Sequence, residues 1–141
     1  MGVAGETVEG LYSRLEVVYA RNEMPDMIFI MTGINNLAMG DHGFVPVYRK
    51  LVRGLKERYG EARIFVHSLL PVLFPWVSND EVRAINKGLR EMADDERVSY
   101  LDIHDLFLQQ GGPVREYLME DGVHVSGKGY EVWSGEIERQ F

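Results

Sequence analysis

The chain has no cysteine, which removes disulfide scaffolds, thiolate metal sites and cysteine nucleophiles together. No apolar run approaches the roughly 18–20 residues of a membrane-spanning helix. No basic segment leads into an apolar stretch at the N-terminus, so no signal peptide is read there. With the absence of cysteine, this favours a cytoplasmic protein. Positive charge is scarce too: 15 Lys and Arg stand against 22 Asp and Glu, a net charge of -7, and the basic residues form no stripe. A nucleic-acid backbone is therefore not an expected partner. What is present is a chain of 141 residues, 45% hydrophobic and 26% charged, suited to one globular domain with an ordinary core.

Helical and extended patterns alternate along it. Thr7 is placed to cap a helix whose apolar residues Val8, Leu11, Leu15 and Val18 share one face. Met24-Pro25 breaks that helix, and residues 26–31 are a nearly continuous apolar run closed by Gly33, as in a strand buried on both faces. A loop over 36–43 leads to a helix with Tyr48, Leu51, Val52, Leu55 and Tyr59 on one side. Residues 63–68 form the next strand. Ser78 and Glu81 read as a capping box for a helix burying Val82, Ile85, Leu89 and Met92. Residues 98–103 are a third short strand. A last helix starts near Ser126 and is expected to bury Tyr130, Trp133 and Ile137. Strands joined by connections of helix length imply a parallel sheet covered on both faces, an α/β unit with no repeat and no linker.

Three short segments carry chemistry. Asp121-Gly122-Val123-His124, followed by Ser126-Gly127-Lys128-Gly129-Tyr130, sets a carboxylate three residues before a histidine in a glycine-bracketed loop. A histidine acting as general base needs a second group to fix its tautomer and stabilise its charged form. Thr32-Gly33-Ile34-Asn35-Asn36 follows the first strand, and Gly2-Val3-Ala4-Gly5-Glu6-Thr7 precedes the first helix. Asn35 offers side-chain N–H donors, and Gly5 lets a backbone N–H approach a substrate without a Cβ in the way. In open parallel sheets ligands gather at the carboxyl ends of the strands, where Gly33, Asn35, Ser68, Asp121 and His124 all fall.

Each residue also has a plain structural reading. Gly33 can simply end a strand, Asn35 and Asn36 can be turn residues, and His124 a loop histidine. Ser126 reads best as a helix cap. Ser68 is a substitute nucleophile by location alone, with no sharp turn or adjacent base. Asp102, His104 and Asp105 lack a helical ligand spacing, and their neighbours Ile103, Leu106 and Phe107 read as packing, so no metal is expected. Phe74 and Trp76, on either side of Pro75 in the segment that begins at Pro71, can wall an acyl or sugar pocket or pack on the core.

Together and in this order, the three segments resemble blocks of the SGNH (GDSL-type) esterase family over essentially the whole chain. The resemblance implies a three-layer α/β/α, flavodoxin-like fold with a parallel sheet of order 2-1-3-4-5. It also implies roles: Gly5 and Asn35 as oxyanion donors with Gly33 in the same substrate-binding turn, His124 as base and Asp121 as its orienting partner. The chemistry implied is hydrolysis of a small acyl or acetyl ester through an acyl-serine, with no cofactor and no metal. Two departures stand out. The family often has Asp where this chain has Asn36, and the Gly-Asp-Ser block carrying the nucleophile is absent. The expectation is a domain over 1–141 lacking the first strand, helix and second strand, with Met1 an internal methionine or the edge of a fragment. Such a chain is expected to be inactive or weakly active; the alternative is a non-catalytic binding module that kept the pocket. Losing its neighbours would leave the strand over 27–31 as an exposed apolar edge, a route to a homo-oligomer.

Overall fold

The computed structural model describes residues 6–21, 24–72, 77–109, 112–113, 117 and 126–140. Thr7 opens the first helix as its side chain implies: its Oγ accepts from the Gly10 N–H at 3.1 Å, covering a donor that a helix N-terminus leaves open. The apolar spacing predicts one helix through Val18, but the structure divides it into α1 (Val8–Ser13) and α2 (Leu15–Arg21). At the break the Arg14 N–H bonds the Leu11 carbonyl three residues back, and its guanidinium reaches the Glu6 carboxylate at 2.5 and 2.9 Å. Apolar spacing carries no sign of that ion pair.

Strands β1 (Met27–Ile30), β2 (Arg63–His67) and β3 (Ser99–Leu101) form a parallel sheet in the order β1-β2-β3. Met27 lies against Arg63, Ile30 against Val66, and Phe65 against Ser99. Parallel neighbours need a crossover, supplied by α4 (Val45–Arg58) between the first two and α5 (Asn79–Asp95) between the second and third. The predicted loop over 36–43 begins inside a helix, α3 (Ile34–Ala38), which is too short to show an apolar period. A hairpin of β4 (Leu108–Gln109) and β5 (Gly112–Pro113) was also not legible in the pattern, for the same reason.

Side-chain alternation divides the core. Ile28, Ile30, Ile64 and Val66 face one layer, where they meet Val8 and Leu15, the α4 residues Tyr48, Leu51 and Leu55, and the α5 residues Val82, Leu89 and Met92. Phe65 and Leu101, with Met27, face the other layer, α6 (Gly127–Gln140), through Val132, Trp133 and Ile137. The result is a sheet between two helical layers. The fully buried Tyr48 hydroxyl donates to the Ile30 carbonyl at 3.2 Å, and burial drives its ionisation far above the ordinary range.

The Ser78–Glu81 capping box forms in both directions, at 3.1 and 2.8 Å. At the other end of α5 the Glu96 carboxylate receives the Arg49 and Arg53 guanidiniums, holding its carboxyl below the usual range and clamping α4 to α5. The expected burial of Tyr130 does not hold. It is 59% exposed, while Trp133 and Ile137 are half-buried, because α6 presents only its Val132–Trp133–Ile137 side to the sheet.

Candidate active site

The turn after β1 is shaped by Gly33. Its φ of +117° lies where side-chain-bearing residues are strained, and a Cβ there would stand 2.8 Å from the ring of the fully buried Phe44. Glycine thus allows the chain to leave the sheet and start α3 at once, with Leu37 N–H closing onto the Gly33 carbonyl. Asn35 and Asn36 then sit in the first turn of α3, at the carboxyl edge of the sheet.

The two asparagines divide their work. Asn35 Nδ2 donates to the Glu6 carbonyl at 2.9 Å, tying the turn after β1 to the segment that enters α1. One of its two N–H groups is thereby used, and among the described residues the other has no recorded partner. Asn36 is buried, and its Oδ1 accepts from the Val8 N–H at 3.0 Å. Its Nδ2 donates to Glu9 Oε1 at 2.6 Å and to Asp41 Oδ2 at 3.0 Å. The Asn36 bond, with a second from the Gly43 N–H, holds the Asp41 carboxyl below its ordinary pKa.

The α6 start reaches the same edge. His67 is the last residue of β2, and its Nε2 accepts from the Trp133 indole N–H at 2.7 Å. Trp133 therefore lies level with the carboxyl end of the sheet, and the beginning of the helix lies beyond it. Because Nε2 accepts, Nδ1 carries the proton and donates to the Ser68 carbonyl at 2.5 Å. Burial pushes the His67 pKa down, with the Ser68 carbonyl opposing. Ser126 caps α6, its Oγ accepting from the Gly129 N–H at 3.1 Å, and its own N–H bonds the Tyr117 carbonyl at 2.9 Å. Gly5, Asp121 and His124 lie outside the described residues, as do Phe74 and Trp76.

All six serines in the sequence are described, and four of them are engaged in hydrogen bonds of the fold. Ser68 is sealed from solvent, its Oγ accepting from the Ile103 and His104 N–H groups at 3.0 and 3.1 Å. Ser78 and Ser126 are caps, and Ser13 donates to the Gly10 carbonyl. Ser99 opens β3 at the far edge of the sheet, and Ser134 lies within α6. The Asp102 carboxylate pairs with Arg90 at 2.5 Å, and His104 Nδ1 lies 3.2 Å from Asp105 Oδ1. Among the described residues no helix is long and apolar enough to cross a membrane.

The profile of the GDSL-like Lipase/Acylhydrolase family matches residues 1–132, nearly the whole chain. The chain belongs to this family. It is 26% identical over 131 residues to platelet-activating factor acetylhydrolase IB subunit alpha1 of Bos taurus, covering 92% of this chain and 56% of that one. It is 32% identical over 60 residues to an isoamyl acetate-hydrolyzing esterase of Saccharomyces cerevisiae, covering 43% of this chain and 25% of the esterase. The chain thus spans little more than half, or less, of these relatives. The crystal structure of a GDSL-like lipase from Bacteroides thetaiotaomicron superimposes with a TM-score of 0.82 at 17% identity, covering 99% of this chain and 73% of the lipase, a likeness of fold.

Within the GDSL-like family frame, the departure at Asn36 has a physical reason. An Asp there would still accept from the Val8 N–H, but it would set a third carboxylate within hydrogen-bonding distance of Glu9 and Asp41. An amide presents donors to both. The turn asparagines were legible in the sequence as a pair, but the part of Asn36 as a hub was not, since Glu9 lies 27 residues away along the chain. The His67–Trp133 bond, spanning 66 residues, had no sequence signal either.

Proposed function

We propose that the chain supplies the base and the oxyanion donors for hydrolysis of a small acyl ester, such as an acetyl ester, and that the attacking serine comes from a segment outside it. In this reading a serine Oγ attacks the ester carbonyl while His124 takes its proton, and Asp121 holds His124 in the required tautomer. The Gly5 backbone N–H and the uncommitted Asn35 N–H receive the developing oxyanion. His124 then returns the proton to the leaving alcohol, and water repeats the sequence to release the acid.

The observation that carries the reading is the placement of Asn35. The Gly33 turn fixes it at the carboxyl edge of the sheet, with the Glu6 carbonyl holding one N–H and the other left over. Family membership supports the reaction class. The engagement of Ser13, Ser68, Ser78 and Ser126 in the fold supports a nucleophile from elsewhere, the buried Ser68 above all.

The test is an assay of the 141-residue chain with short p-nitrophenyl esters and a fluorophosphonate probe. The expected result is turnover well below about 1 per second, the lower end for ordinary enzymes, with no covalent adduct. In a chain extended upstream to include a serine after a β-strand, turnover and a single adduct should appear and should fall with His124→Ala. Ordinary turnover in the 141-residue chain, with an adduct on one of its own serines, would overturn the reading.

A further inference from the structure

Glu6 is held at both ends. Its carboxylate takes two bonds from the Arg14 guanidinium, Nε to Oε2 at 2.5 Å and Nη2 to Oε1 at 2.9 Å. Its carbonyl accepts from Asn35 Nδ2 at 2.9 Å. The helix makes no claim on that carbonyl, because the first bond of α1 runs from the Leu11 N–H to the Thr7 carbonyl, one residue further on.

The grip on the carboxylate is built into the sequence. Positions 6, 10 and 14 recur at the four-residue spacing of one helix face. Eight residues of α-helix rise about 12 Å, so the Arg14 and Glu6 side chains must lie along that face to meet. Gly10 leaves the way open: a Cβ there would stand 3.3 Å from Glu6 Cγ, closer than ordinary contact. Both side chains are largely covered, Arg14 19% and Glu6 14% exposed. A carboxylate bound through both oxygens by a planar fork is fixed in orientation as well as in place.

We propose that Arg14 is a positioning residue of the ester site: by gripping the Glu6 carboxylate it sets the Glu6 carbonyl, which holds one Asn35 N–H and so aims the other. The two N–H bonds of an amide lie in one plane at a fixed angle, so holding one directs its sister. A donor that receives developing charge is most effective when it is aimed beforehand and need not reorganise during the reaction. The use of the aimed N–H rests on the ester-hydrolysis reading, whereas the linkage from Arg14 to Asn35 does not. The plainer role is an ion pair that only fastens α1. In that role the Gly33 turn and α3 would hold Asn35 unaided, and Asn35 would be indifferent to Arg14.

The experiment measures the NMR order parameter of the Asn35 side-chain amide in the 141-residue chain. The Asn86 amide, bonded to the Leu69 backbone, is the internal reference. Arg14→Lys keeps a charge beside Glu6 but loses the two-pronged grip, and Arg14→Met removes both. In each variant the Asn35 value should fall from about 0.85 to below about 0.6 while Asn86 stays rigid. Where Arg14→Met does not fold, Arg14→Lys decides. Acetate, a carboxylate standing in for the oxyanion, is then titrated. It should shift the Asn35 amide resonances in the parent chain. It should bind roughly two- to tenfold more weakly to Arg14→Lys, which must immobilise a loosened side chain.

An Asn35 amide as rigid in the variants as in the parent would overturn the proposal. So would Asn35 and Asn86 loosening together, which would mark a general loss of packing, and so would equal acetate affinity in the parent and Arg14→Lys. Acetate that leaves Asn35 of the parent unshifted would count against the ester-hydrolysis reading, and the order parameters would still decide the role of Arg14.

Discussion

Asn36→Ala is the most informative single change, because one buried amide joins the start of α1 to both ends of the turn after β1. The substitution strands the Val8 N–H, a first-turn donor at a residue with no exposed surface. A buried donor left without a partner costs roughly 1–3 kcal/mol. Loss of the short bond to Glu9 and the space left by the amide bring the total to about 2–4 kcal/mol. With a urea m-value of about 2 kcal/mol per molar, the unfolding midpoint should fall by about 1–2 M.

The pH dependence carries the rest of the reasoning. The Asp41 carboxyl sits below its ordinary pKa chiefly through the Asn36 amide, so its contribution is present above that ordinary value and is lost as pH falls through the folded one. Asn36→Ala should therefore show a flatter decline of stability below about pH 4 than the parent chain. Asn36→Asp keeps the acceptor for Val8 but gathers three carboxylates. It should be at least as unstable as the alanine variant at pH 7, and should recover relative to it as the carboxylates protonate below about pH 4. Midpoints for Asn36→Ala within about 0.3 M of the parent, or an aspartate variant that is as stable as the parent at pH 7, would refute the account of Asn36 as a hub.

Two further predictions rest on other parts of the site. Gly33→Ala forces a Cβ to 2.8 Å from the Phe44 ring at a φ of +117°; strain and overpacking together should cost about 2–5 kcal/mol by urea denaturation, and a loss under about 1 would show that the turn relaxes freely. The His67 pKa is lowered by burial, so its neutral form stabilises the fold above about pH 6.5, and that stability should drain away as pH falls toward the folded value. Melts between about pH 7.5 and 5 should show this decline, with the Trp133 indole N–H resonance moving alongside it. His67→Gln, which keeps an acceptor without titrating, should flatten the slope, and an unchanged slope would assign it to another group.

The layered α/β architecture could be read from the chain by itself. Apolar spacing marks the Tyr48–Leu55 and Val82–Met92 helix faces, runs of unbroken apolar residues mark β1 and β2, and Thr7 and Ser78 announce helix starts. These are local signals, because a helix face or a cap is decided within a few residues. The break at Arg14 was not legible, since it goes with an ion pair to Glu6 that competes with helix continuation. Nor was the outward turn of Tyr130, which depends on which side of α6 the sheet receives.

For the site, residue types and order were enough to point to a family, because a turn glycine, an asparagine and an Asp-x-x-His loop occur in a fixed sequence. Tertiary structure decided what the side chains do there. It commits one Asn35 N–H to Glu6, makes Asn36 a bridge between two carboxylates, and buries Ser68 under two backbone donors. It also links His67 to Trp133 across the layer boundary. Each of these is a hydrogen bond between groups far apart along the chain. No local pattern encodes such a bond, because its geometry exists only once the sheet has brought the segments together.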